Sequence, residues 1–238
     1  MSSDTKLSVG DVSVHYHRSQ ALYNISLNVS EGEIVGLIGP NGAGKTTLLN
    51  AISGLKEYEG SISFKGTETG ETEPYDLVSL GLTHCTENRD LFPYLSVEEN
   101  LEMGAFARGN DYLEENLEIV YDLFPRLDER RSQNAETMSG GEQQMLAIGR
   151  ALMTEPDLLM IDEPTQGLAP VIIESIHDAF EELAARGQTV FLVEQNAVFA
   201  MEHAERLYLL ENGEITRSGT ASEFREDEYI RDAYIGIA

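Results

Sequence analysis

The stretch Ile34-Val35-Gly36-Leu37-Ile38-Gly39-Pro40-Asn41-Gly42-Ala43-Gly44-Lys45-Thr46-Thr47, followed by Leu48-Leu49-Asn50-Ala51-Ile52, decides the fold. An apolar run of strand length passes into a glycine-rich turn and then into a helical run. Residues 39–47 match the pattern G-x-x-x-x-G-K-[ST], whose glycines let successive backbone N–H groups converge on an anion with no Cβ in the way. The pattern assigns Gly39, Asn41, Gly42, Ala43, Gly44 and Thr47 to a phosphate cradle. Lys45 reaches the β- and γ-phosphates of a nucleotide, and the Thr46 hydroxyl binds Mg²⁺. A helix starting near Lys45 adds its positive end to the same place. The alternative is a glycine-rich turn that merely contains a lysine; the flanking strand and helix weigh against it.

The 238 residues suffice for one large α/β domain, and a single phosphate loop argues against two fused copies. With 41% hydrophobic residues and no run of 18 or so apolar residues, the composition is that of a globular protein without a membrane span. Met1-Ser2-Ser3-Asp4-Thr5-Lys6 has neither a basic nor an apolar signal region, so a cytoplasmic chain is expected. The lone Cys85 cannot form an internal disulfide and is read as a core residue of a strand Leu82 to Thr86. A formal charge of -26, with four lysines among sixteen basic residues, argues against a nucleic-acid partner. So much like charge repels itself unless salt screens it, which predicts a salt-accumulating host.

Alternation over Lys6–Tyr16 and Ala21–Val29 predicts two half-exposed antiparallel strands, and Gly60–Phe64 predicts a third. The acidic sequence up to Pro74 is read as a surface loop, with a short helix over Leu77–Leu80. Helical periodicity fills Ser96–Met153, opening on the capping box Ser96-Val97-Glu98-Glu99. Two continuously apolar runs, Pro156–Asp162 and Thr189–Val193, predict strands buried on both faces of a parallel sheet. Between them lies an amphipathic helix carrying Ile172, Ile176, Phe180 and Leu183. After a helix over Asn196–His203, Arg206–Leu210 and Glu214–Thr216 form a hairpin around Asn212-Gly213.

Two further stretches carry chemistry. Asp162-Glu163 ends a buried strand, at the sheet edge where ligands bind. Asp162 is placed in the Mg²⁺ shell, directly or through water, while Glu163 orients or deprotonates the attacking water. Met138-Ser139-Gly140-Gly141-Glu142-Gln143-Gln144 opens a helix with the serine hydroxyl and glycine N–H groups expected free for an anion. A nucleotide already held by residues 39–47 does not need this second cradle, but a second molecule can use it.

Taken together, Gly39–Thr47, Ser139–Gln143 and Leu158–Glu163 resemble the ATP-binding cassette ATPases in order and spacing over essentially the whole chain. The resemblance implies a phosphate-loop, RecA-like α/β core with a mainly parallel sheet, over about residues 1–86 and 156–238. It adds an N-terminal antiparallel β-subdomain and an inserted helical subdomain over about 87–155. It further implies that Ser139, Gly140, Gly141 and Glu142 close over ATP held by a second subunit, and that Tyr16 stacks on adenine.

Three positions depart from the common family pattern. Glu87 stands where glutamine is usual and Gln195 where a switch histidine is usual; Ala169 replaces an aspartate. Glu87 would then join the metal shell, and Gln195 would donate an uncharged amide to the γ-phosphate. Glu87–Pro93 with Ser96–Leu101, Gly141–Arg150, Val193–Asn196 and Tyr229–Gly236 resemble the ATPases of branched-chain amino-acid importers and their urea and short-amide relatives. That branch implies a second, different ATPase or a second copy, paired beneath membrane permeases at the cytoplasmic face, with residues 87–100 near the permease. A soluble cassette ATPase of iron–sulfur assembly is the rival from another class.

Overall fold

The N-terminal alternation becomes two long strands, β1 (Thr5–Tyr16) and β2 (Ser19–Ser30), paired antiparallel. Their inward residues, among them Leu7, Val9, Ile25 and Leu27, are buried. With β4 (Glu59–Phe64) and β5 (Thr67–Glu68) they make a sheet of order β2-β1-β4-β5. Between them, β3 (Ile34–Ile38) leaves for a second sheet and is followed by α1 (Lys45–Ile52). The computed structural model describes residues 5–17, 19–106 and 112–235; Gly236, in the tail that contributes to the family resemblance, lies outside them.

The second sheet has the order β10-β9-β3-β8-β7-β6. Its members are β6 (Leu82–Cys85), β7 (Leu158–Asp162), β8 (Val190–Glu194), β9 (Arg206–Glu211) and β10 (Glu214–Thr220). All pairings are parallel except the β9–β10 hairpin at the edge. Ile34 and Ile38 of β3, Leu159 and Ile161 of β7, and Val190 and Leu192 of β8 enter one hydrophobic core. Val35 and Leu37, Leu158 and Met160, and Phe191 and Val193 enter another. A strand of period two between two cores must be apolar at every position, hence the unbroken hydrophobic runs. Cys85 is buried as expected, and burial pushes its thiol up to about 12.

Between β6 and β7 the chain runs through α3 (Val97–Ala105), α4 (Leu113–Leu123), α5 (Pro125–Asp128) and α6 (Gly140–Leu152). The Ser96 capping box is present: Glu99 N–H donates to Ser96 Oγ at 3.2 Å and Ser96 N–H donates to the Glu99 carboxylate at 2.7 Å. After β7 comes α7 (Pro170–Ala185), with Ile176, Phe180 and Leu183 buried, and after β8 comes α8 (Ala197–His203). The helices α9 (Ala221–Glu226) and α10 (Glu228–Ile230) follow β10.

The expected surface loop before Pro74 is corrected. It holds β5 and a 3₁₀ turn, Thr69–Glu71, with Thr69 fully buried. The cause is Tyr58, whose hydroxyl takes the Gly70 N–H at 2.8 Å and lies 3.1 Å from both Glu68 and Thr69 side chains. Pro74 does not end the loop; it opens α2 (Pro74–Ser79), a position that suits its fixed φ and missing N–H.

Candidate functional site

Parallel β3, β7 and β8 deliver their carboxyl ends to one edge of the sheet, so residues 39–47, Asp162-Glu163 and Glu194-Gln195 meet there. The loop after β3 fits only with glycine at two points. A Cβ on Gly39 would lie 2.2 Å from the Leu210 carbonyl oxygen; on Gly44, at φ +110°, it would lie 2.6 Å from the Leu22 side chain. The β9–β10 turn closes on the loop from the side: Gly213 N–H donates to the Ala43 carbonyl at 3.0 Å, and Tyr23 N–H donates to the Gly213 carbonyl at 2.8 Å.

Asn41, Gly42, Gly44, Lys45, Thr46 and Thr47 line a cleft of about 690 Å³, together with Tyr16, Glu87 and Glu163. Tyr16 is 43% exposed, and the Lys56 ammonium sits 4.1 Å from its ring centroid. Gly39 and buried Ala43 stand behind the lining, where they set the path of the loop. Lys45 Nζ donates to the carbonyls of Gly39 (2.7 Å) and Pro40 (3.2 Å) and pairs with Glu163 Oε1 at 3.0 Å. Both members of this ion pair are buried.

The Thr46 hydroxyl donates to Asp162 Oδ2 at 2.8 Å, while Asp162 Oδ1 is buried and has no hydrogen-bond partner among the described residues. Burial, with Glu163 and Glu87 nearby, pushes the Asp162 carboxyl up to about 6. Glu163 takes a positive φ of 50°, unusual for a side chain of this type; its N–H bonds the Val193 carbonyl at 2.8 Å. Its second carboxylate oxygen, Oε2, accepts from the backbone N–H of Gln195 at 3.0 Å. Gln195 thus meets the site through its main chain; its side chain is exposed and lies outside the cleft lining.

The signature residues Ser139, Gly140, Gly141 and Glu142 start α6 and do not line this cleft. Ser139 and Gly140 are exposed. The expectation of a free serine hydroxyl is corrected: Ser139 Oγ accepts from Glu142 N–H at 3.3 Å and donates to the Glu142 carboxylate at 2.9 Å. A capping box consumes the hydroxyl, and Arg130 holds the other Glu142 oxygen at 3.0 Å.

Sequence reasoning missed several groups. Ser19, Gln20, Tyr23, Gln166, Asn212 and Gly213 also line the cleft. Asn212-Gly213 was legible only as a hairpin turn; that β9 lies beside β3 is a matter of sheet order. Glu194, at the end of β8, is buried and accepts from Thr165 N–H (2.9 Å), the Thr165 hydroxyl (2.7 Å) and Asn196 N–H (3.1 Å). Burial pushes its carboxyl up to about 7, with the Glu163 charge adding to the rise. A glutamate closing an otherwise apolar strand was the available signal.

Comparison with known proteins completes the picture. The family model described as "ABC transporter" matches residues 22–166. The chain is 48% identical to the high-affinity branched-chain amino acid transport ATP-binding protein BraG of Pseudomonas aeruginosa, over 97% of this chain and 99% of that one. It is 34% identical to the probable branched-chain amino acid transport ATP-binding protein LivF of Archaeoglobus fulgidus, over 93% and 95% of the two. Among solved structures, an ATP-binding subunit of an ABC transporter superposes with a TM-score of 0.84 at 31% identity, covering 98% of this chain and 97% of that one. The phosphate loop, the paired carboxylates at the sheet edge and these likenesses agree: the chain belongs to the ABC transporter family, as an ATP-hydrolysing cassette.

Proposed function

We propose that this chain powers an importer of branched-chain amino acids, binding and hydrolysing ATP beneath a membrane permease. The observation that carries the substrate class is the 48% identity to BraG along nearly the full length of both chains. The Lys45, Thr46, Asp162 and Glu163 cluster supports the hydrolytic role.

In this reading the N–H groups of residues 39–47 bind the phosphates, Lys45 supplies positive charge to them, and Tyr16 covers the base. The oxygen donors Thr46 Oγ1 and Asp162 suit Mg²⁺, and the unpartnered Asp162 Oδ1 is a place where a cation would satisfy a buried carboxylate. When bound, Mg²⁺ neutralises charge on the β- and γ-phosphates; Glu87 lies beside that position at the cleft wall. Glu163 orients the attacking water or takes its proton, held in place by Lys45 and the Gln195 N–H. Gln195, having no titratable side chain, leaves Glu163 as the proton acceptor.

The exposed start of α6 at Ser139-Gly140 serves ATP held by a second cassette, so that nucleotide binding closes a dimer and hydrolysis releases it. A dimeric ABC transporter cassette, MJ0796, superposes on this chain with a TM-score of 0.81 at 27% identity, covering 90% of this chain and 98% of that one. The segment between β6 and β7 acts as a helical subdomain on the sheet-bearing core. A groove of about 510 Å³ between the two, walled by Leu55, Tyr75, Phe92, Met103 and Phe106, fits an apolar cytoplasmic element of the permease. No helix among the described residues is long and apolar enough to cross a membrane. In this reading the chain sits at the cytoplasmic face, attached through the permease.

The test is affinity capture of the tagged chain from native membranes solubilised at high salt, with mass spectrometry of its partners, then uptake of labelled leucine and urea in a deletion strain. Polytopic permeases and leucine uptake restored by the gene are expected. Restored urea uptake would reassign the solute, and recovery without any membrane partner would overturn the transport role.

A further inference from the structure

We propose that His177, His203 and Glu202 form a binding site for a divalent transition metal between α7 and α8, outside the nucleotide cleft. His177 lies on α7; Glu202 and His203 end α8. His177 Nδ1 and His203 Nε2 stand 2.9 Å apart, Glu202 Oε2 is 4.0 Å from His177 Nδ1, and the three ligand atoms all lie within 4.8 Å of one another. Two imidazole nitrogens at about 2.0–2.1 Å from one tetrahedral ion are about 3.3 Å apart, so the pair needs to open by only a few tenths of an ångström.

The surroundings are built as a ligand shell is built. Glu181, one turn along α7, places Oε1 3.4 Å from His177 Nε2. With the ring proton on Nε2, the nitrogen beside that carboxylate, the Nδ1 lone pair faces His203. The His203 ring is fixed by packing, its centroid 4.5 Å from that of Phe199 and 5.2 Å from that of Phe180. His177 is 37% exposed and Glu202 51%, which opens the site to ions in solution.

The competing account is a single proton shared between the rings, His203 Nε2–H donating to His177 Nδ1. A metal takes the place of that proton, which moves to His203 Nδ1 with no change in charge on either ring. Two imidazoles and a carboxylate select zinc, nickel or copper over magnesium, so the ions that serve nucleotides do not compete. The bound ion would tie the helix that follows the Glu163 loop to the helix that follows Gln195. This site stands independently of the transport reading.

The experiment is calorimetric titration of the full chain with ZnCl₂ in excess MgCl₂, repeated with Co²⁺ to read the visible bands of a low-coordinate site. One tight Zn²⁺ per chain is expected. His177→Phe and His203→Leu should each weaken it by more than about 100-fold, and Glu181→Gln by about tenfold, with Lys45→Met leaving it unchanged. Should either histidine variant unfold, Glu202→Gln, at an exposed position, weakens binding and alters the Co²⁺ spectrum. Zinc affinity unchanged by these substitutions, or no binding above the Mg²⁺ background, overturns the site and leaves the pair as a hydrogen bond.

Discussion

Replacing Glu163 with Gln tests the centre of the site, because both carboxylate oxygens face donors: Oε1 the Lys45 ammonium at 3.0 Å, Oε2 the Gln195 N–H at 3.0 Å. An amide has one acceptor, so its NH₂ must confront one of these donors in a buried place. Leaving one donor unsatisfied costs about 1–3 kcal/mol. For a chain of this size that lowers the nucleotide-free Tm by about 2–12 °C. ATP should recover most of the loss, since the phosphates give Lys45 a new partner. Hydrolysis should fall by about 10²–10⁴-fold with the base removed, trapping an ATP-loaded dimer. Thermal unfolding, single-turnover hydrolysis and size-exclusion chromatography read the three effects. Adding Lys45→Met removes the conflict, so the double variant should lose less stability than the two single losses combined, by at least about 0.5 kcal/mol. Ordinary turnover in Glu163→Gln, or strictly additive losses, would refute the reasoning.

Asp162 and Glu194 carry folded-state pKa values raised to about 6 and about 7, so the unfolded chain ionises first and their cost to stability grows from about pH 4 to pH 7, then levels off. The stability of Glu194→Gln relative to the parent should therefore improve by about 1–3 kcal/mol between pH 5 and pH 8 in urea titrations; a pH-independent difference would contradict the assignment. Thr46→Val removes the hydroxyl bonded to Asp162, and should raise the Mg²⁺ needed for half-maximal hydrolysis by at least about tenfold; superimposable Mg²⁺ titrations would remove Thr46 from the metal shell. The charge of -26 predicts a Tm that climbs as salt rises toward 1 M, where the Debye length is about 3 Å; circular dichroism showing full stability at low salt would dismiss a halophilic adaptation.

What could be read from the sequence is what local pattern determines. β3 with its loop, β7 ending on Asp162-Glu163, and the Ser96 capping box each depend on neighbours within a few residues, and each stands where expected. Buried Thr69 was missed because it depends on a tyrosine eleven positions earlier whose hydroxyl folds the acidic segment inward. Glu194 and the Asn212-Gly213 turn were missed as site components because strand order, rather than chain order, sets them beside Thr165 and the phosphate loop. Ser139 was misjudged for a local reason: Ser139 and Glu142 already spelled a capping box, and a boxed serine does not keep a free hydroxyl.

The position of β3 between β8 and β9 also sets a schedule for synthesis. Its hydrogen-bonding neighbours begin at Val190 and Arg206, so the ribosome makes about 150 residues after β3 before either edge can be paired, a wait of about 8–30 s at usual elongation speeds. One face need not wait: Val35 and Leu37 pack with Leu7, Val9 and Leu27 from strands already made. Ile34 and Ile38 face a core whose other members, from Cys85 to Ile230, arrive later. A nascent chain stopped before Val190 should therefore hold its antiparallel sheet while leaving a sticky, protease-sensitive strand edge, and the phosphate loop acquires its shape only when the last fifth or so of the polypeptide has emerged.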